Sequence, residues 1–149
     1  MELTVTLADR LYTAVDYMHL HVKERLELIK GRLRKMSPAP SARHQRMVGD
    51  LFVQIRTEFE HRPDLDVYIS PFDVYLGRDT VVQPDITVCH AGQVSERGCE
   101  GTPYLVVEVV SLSSKAYDEE TKLELYRAYG VKTYWLAYPD TGEVIKKQL

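Results

Sequence analysis

Residues 105–110 read Leu-Val-Val-Glu-Val-Val, and this run constrains the chain more than any other. A short, nearly continuous apolar stretch rich in β-branched residues is the pattern of a strand buried on both faces. A carboxylate in the middle of such a strand is costly unless it has a partner, a proton or a cation. Glu108 is therefore either a functional acid or a strand-end glutamate closed off by an arginine.

The rest of the composition narrows the class. With 149 residues, 44% of them apolar, the chain fits one domain with its own core and is not a disordered segment. No run of about 18 apolar residues exists, which excludes a membrane-spanning helix. The start, MELTVTLADRLY, lacks a basic segment followed by an apolar block, so it does not read as a secretory signal, and the cytoplasm is the expected location. Cys89 and Cys99 form no disulfide framework, and with His90 they match no zinc spacing. A net charge of -3 argues against nonspecific nucleic-acid binding over the whole surface. It leaves room for a local basic patch, and Arg32, Arg34, Lys35, Arg43 and Arg46 are either that patch or a solvated edge.

Periodicity predicts a helix over 7–20, with Leu7, Leu11, Ala14, Val15 and Met18 at helical spacing. Leu26, Leu28 and Leu33 flank Lys30-Gly31 as a hairpin would. Pro38 and Pro40 end it, and Ser41 is placed to cap a helix over roughly 42–60. Strands follow between 66 and 90 with a turn at Gly77-Arg78-Asp79. The stretch from Gln93 to Pro103 reads as a loop. After the Glu108 strand come a loop, a helix stopped by Gly130, and two strands joined at Asp140-Thr141-Gly142. The expected class is α+β, a central mixed sheet flanked by helices.

Two further residues qualify as chemistry. Asp85 follows Pro84 at what reads as a strand start, where it could share a pocket with Glu108, although Pro-Asp is also a common turn pair. Lys122 lies four residues after Asp118 on the helix that follows the Glu108 strand, where it makes either a surface ion pair or a side chain folded back over the strand end. Two carboxylates and a lysine suit phosphodiester hydrolysis, because carboxylate oxygens bind Mg²⁺ and leave positions for water and a phosphate oxygen.

Six strings in order, ELIKG at 27–31, SPAPSARHQRMVGDL at 37–51, SPFDVYL at 70–76, VVQPDITV at 81–88, GTPYLVVEVVS at 101–111 and DEETKLELYRAYGVKTYWLAYP at 118–139, carry a resemblance. The chain resembles the Uma-two family of restriction-endonuclease-like proteins, a branch of the PD-(D/E)XK nuclease superfamily. The resemblance implies a restriction-endonuclease-like fold, Asp85 as the acid of the Pro-Asp motif and Glu108 as the second acid, both holding Mg²⁺ or Mn²⁺. Where the superfamily pattern expects lysine two residues later, this chain has Val110, and the lysine of this branch corresponds to Lys122. Glu27 matches a further acidic position of such sites, and His44 the histidine that opens the second helix. Lys30 and Leu112 depart from the family pattern. The family usually continues for several tens of residues past the position of Leu149, so a single domain over 1–149 is expected, either a fragment, a natural short form or a shortened gene product.

The leading expectation is a Mg²⁺-dependent DNA endonuclease, with Arg32, Arg34, Arg43 and Arg46 on phosphates and a homodimer as its working form. The alternative is an inactive nucleic-acid-binding or assembly module that retains the fold.

Overall fold

The computed structural model describes residues 9–37 and 39–149; Leu7 and Pro38, which entered the reading of the sequence, lie outside them. The chain opens with one short helix, α1 (Ala14–Met18), closed by a capping box in which the Thr13 hydroxyl accepts from Asp16 N–H and the Asp16 carboxylate accepts from Thr13 N–H. This is much less than the helix expected over 7–20. Tyr12 N–H donates to Gly31 O and Ala14 N–H to Arg78 O, so the backbone is tied to two hairpin turns where a helix would need it. Leu11 and Val15 consequently face solvent, while Tyr12 and Ala14 pack on Leu28 and Val81.

The first hairpin joins β1 (Leu26–Ile29) to β2 (Arg32–Lys35). Lys30 and Gly31 both have positive φ, 49° and 82°, the two-residue turn whose twist matches that of the strands. Next comes α2 (Ala42–Glu58), with the Ser41 hydroxyl accepting from His44 N–H. Val48, Leu51 and Ile55 form its buried stripe.

Nine further strands follow. They are β3 (Leu65–Ile69), β4 (Val74–Gly77), β5 (Thr80–Val82), β6 (Ile86–His90), β7 (Val94–Ser95), β8 (Gly98–Glu100), β9 (Leu105–Val109), β10 (Thr133–Tyr138) and β11 (Glu143–Gln148). Strands β7 and β8 form within the stretch expected to be a loop. Gly98 lets them form: at φ +139° it lies so close to Asp73 O that a Cβ would stand 2.1 Å from it. Between β9 and β10 run a π-helical turn, Tyr117–Thr121, and α3 (Lys122–Ala128).

The strands fall into two sheets, not one: β2-β1-β5-β4-β8-β7 and β11-β10-β9-β6-β3. The second is mixed, since β9 and β10 run parallel and the remaining pairs antiparallel. The helix α2 covers one face of it, meeting Leu105, Val107 and Val109. The other face, with Val106 and Val110, packs against Leu125 and Tyr126 of α3 and against Val74, Leu76 and Val82 of the first sheet. All five residues of β9 are buried, and hiding one such side chain contributes roughly 1.5–3 kcal/mol before entropy is counted.

Candidate functional site

Pairing register decides which side chains meet. β6 and β9 are antiparallel with Ile86 opposite Val107, so one step further Asp85 stands opposite Glu108. Directly opposed residues project to the same face. That face is covered by α3, whose first residue is Lys122. From the other sheet, β1 contributes Glu27.

The four converge. Lys122 Nζ donates to Glu108 Oε2 at 2.7 Å and to Glu27 Oε2 at 2.9 Å, with all three side chains at most 7% exposed. Tyr126 donates its hydroxyl to the same Glu108 oxygen at 3.0 Å. Glu27 also accepts from Gln83 N–H at 2.8 Å and from the Tyr117 hydroxyl at 3.1 Å. Asp85 is fixed by Val109 N–H, which donates to Oδ2 at 2.7 Å, and His44 Nε2 lies 3.6 Å from the same oxygen. Asp118 is buried beside them and accepts from the Ser114 hydroxyl at 2.7 Å.

The acids are not electrostatically equivalent. Burial works against ionised Glu27, but Lys122, the Gln83 amide and the Tyr117 hydroxyl outweigh it and hold that carboxyl below its ordinary value. Burial dominates at Glu108 and, with Asp118, Asp85 and Glu27 as like-charged neighbours, carries it up to about 8 against the pull of Lys122. Burial also raises Asp118 to about 6. Burial opposes the Lys122 ammonium, yet Glu108 and Glu27 together keep it well above its ordinary value. The neighbouring Asp85 carboxylate raises His44, against the effect of burial.

Four carboxyl groups thus surround one ammonium and one imidazole. The local excess is negative, and a divalent cation would relieve it. Glu108 and Asp85 each have an oxygen available. Glu108 Oε1 has only the long 3.4 Å contact with Asp85 N–H, and Asp85 Oδ1 has no short hydrogen bond among the described residues. Asp85 is also the wet side of the cluster, its side chain 21% exposed. Among the described residues no group of three or more His, Cys, Asp or Glu could hold a metal by itself. The donor set fits an ion that takes one or two carboxylates and completes its shell with water and substrate oxygens, which is the habit of Mg²⁺.

The match with the family model described as "Putative restriction endonuclease", Uma2, runs over residues 13–145. The chain belongs to the Uma2 family. A Uma2 chain is therefore what the six sequence strings mark. The fold agrees with a crystal structure from Anabaena variabilis ATCC 29413, described as "a putative nuclease belonging to DUF820", at a TM-score of 0.74 and 18% identity, over 92% of this chain and 79% of that one. No curated protein matches. No helix among the described residues is long and apolar enough to cross a membrane.

Of the residues singled out from sequence, Asp85, Glu108, Lys122 and Glu27 share one cluster. Glu108 is closed off by a lysine and a tyrosine, not by an arginine, and Lys122 is buried instead of forming a surface pair with Asp118. Of the four arginines, Arg32 lies 3.4 Å from Asp9 and Arg43 2.8 Å from Asp140, both exposed. Arg46 is exposed on α2. Arg34 alone reaches the cluster, its guanidinium stacked 3.2 Å above the Tyr117 ring. Sequence reasoning missed Tyr126 and Tyr117. The first could have been found, since it follows Lys122 by four residues on one helix.

Proposed function

We propose that this chain is a Mg²⁺-dependent endonuclease that hydrolyses DNA phosphodiester bonds. The observation that carries the reading is the meeting of Asp85 and Glu108 from neighbouring strands with Lys122 from the next helix. Asp85 and Glu108 would hold Mg²⁺, or Mn²⁺ in its place, and the bound ion would lower the pKa of a coordinated water and offset charge building on the phosphate. The chain's own groups prepare that spot. Lys122 and Tyr126 take one oxygen of Glu108, leaving the other toward Asp85. Val109 N–H fixes Asp85 in the same way. Lys122, kept protonated by two carboxylates, acts as a hydrogen-bond donor and positive charge, not as a base. Glu27 holds the lysine in place. Basic side chains around the mouth would bind phosphates and orient the duplex. Cutting both strands calls for two such sites, so a homodimer is the proposed working form.

The test is conversion of supercoiled plasmid to nicked or linear DNA in Mg²⁺ or Mn²⁺, beside calorimetric titration of the metal. Absence of both cleavage and metal heat would sink the reading. One observation favours a second reading, a nucleic-acid-binding or assembly module without catalysis: Lys122 already neutralises part of the cluster without a metal. DNA binding that needs no metal and survives Asp85→Ala and Glu108→Ala, with no cleavage at all, would favour it.

A further inference from the structure

Arg34 and Tyr117 sit at the rim of the cluster, and the scheme above gives the tyrosine no task. Glu27 and Arg34 are direct cross-strand partners in the β1–β2 hairpin, so both side chains leave the sheet on the same face. Glu27 is buried and Arg34 exposed. Tyr117, half-buried between them, holds both. Its hydroxyl donates to Glu27 Oε1 at 3.1 Å, and its ring carries the Arg34 guanidinium at 3.2 Å. Stacking fixes the plane of a guanidinium without using any of its five N–H donors. Among the described residues no carboxylate pairs with Arg34, whereas Arg32 and Arg43 already have acids. A guanidinium held over a ring at the exposed edge of an acid-rich cluster suits an anion with two adjacent oxygens.

We infer that Arg34, laid flat on Tyr117, is the seat for one phosphate of the nucleic acid, and that Tyr117 is a positioning residue tying this seat to Glu27 and hence to Lys122. The inference rests on the nuclease reading and adds to it a substrate anchor and the residue that aims it. Binding is felt at the ring face and the chemistry at the hydroxyl, so the two halves of one side chain can be separated.

The experiment measures binding of a fluorescein-labelled DNA duplex across a salt series, and kcat and KM for its cleavage in Mn²⁺, for wild type, Arg34→Ala, Arg34→Lys, Tyr117→Phe and Tyr117→Leu. Arg34→Ala should weaken binding and reduce the slope of log K against log salt by about 0.9, the share of one phosphate contact. Arg34→Lys should keep the slope and lose part of the affinity, since an ammonium lacks the fork. Tyr117→Phe, which keeps the ring, should leave KM and binding unchanged and lower kcat several-fold. Tyr117→Leu should weaken binding, and adding it to Arg34→Ala should cost no further affinity. Because Arg34 is exposed, its variants fold and remain informative even if Tyr117→Leu melts early. A wild-type slope for Arg34→Ala overturns the phosphate seat. Additive losses in the double variant, or an unchanged kcat for Tyr117→Phe, overturn the positioning role. If wild type cleaves and the Arg34 variants match it, only this inference fails. If wild type neither binds nor cleaves, the nuclease reading falls and this inference with it.

Discussion

The two faces of β9 are made of nearly the same residues and do opposite work. Toward α2 it presents Leu105, Val107 and Val109, in an apolar cluster with Val48, Leu51 and Ile55. Toward α3 it presents Val106 and Glu108, with Val110 just past its end, and around the one carboxylate gather Lys122, Tyr126, Glu27 and Asp85. The first face contributes stability through hydrocarbon burial. The second puts charges in a place where each needs its partners, so the same loss of surface that stabilises one side makes the other conditional. On the proposed reading, this strand places its chemistry at the position where its apolar pattern is broken.

Breaking the charged face at its centre should have the largest effect. Lys122→Met leaves Glu27 and Glu108 buried without their cation and should cost about 3–5 kcal/mol of stability, read by urea unfolding near pH 8. An unchanged midpoint would show that the acids find other partners. Glu108→Gln keeps the shape and removes the charge. It should lower the cleavage rate by about 10²–10³-fold, comparable to removing one key electrostatic group elsewhere, without lowering the melting temperature. Leu105→Ala is the converse on the apolar face: a loss of about 2 kcal/mol or more with full activity per folded molecule below the melting range. If it abolished activity in folded protein, the division of labour would be wrong.

A pH series sharpens the contrast. Glu108, ordinarily near 4.5, is raised to about 8, and Asp118, ordinarily near 3.8, to about 6. The folded chain therefore keeps protons that the unfolded chain has released. In chelator, the contribution of these two groups should be greatest below these windows and fall as pH rises toward about 8, by at most about 1.4 kcal/mol per pH unit for each group. Glu27, held low, acts with the opposite sign and loses its contribution as pH falls below its ordinary value. In Glu108→Gln the decline should end near pH 6, and a decline that still reached pH 8 would assign the high titration elsewhere. The smallest effect is expected at the exposed Arg43–Asp140 pair, where Arg43→Ala should leave the melting temperature within error.

Local signals made much of the fold legible. Lys30-Gly31 marked a turn needing two positive φ values, Ser41 a cap, and 105–110 a strand with no wet side. The failures came where tertiary contacts overrode local pattern. The helix expected over 7–20 lost its backbone to Gly31 and Arg78, and the stretch after Gln93 formed strands because Asp73 and Val74 offered it partners. The division into two sheets depends on long-range pairing that alternation cannot show. Within the site, Glu108 announced itself through the cost of burying an acid. Asp85 and Lys122 were ambiguous by spacing and gained weight only from the family resemblance. Tyr117 carried no signal, because nothing in a single sequence says that one ring will touch both a carboxylate on β1 and a guanidinium on β2.

The π-helical turn before α3 has a consequence of its own. Tyr117 and Lys122 both reach Glu27 although five residues separate them. On a regular α-helix that separation overshoots one revolution by about 140°, and only one of the two could point at the carboxylate. The wider turn, in which Lys122 N–H donates to Tyr117 O, takes up the overshoot. The arrangement is thus encoded in the winding: a chain that ran 117–122 as a regular α-helix could keep every named side chain and still lose their meeting point.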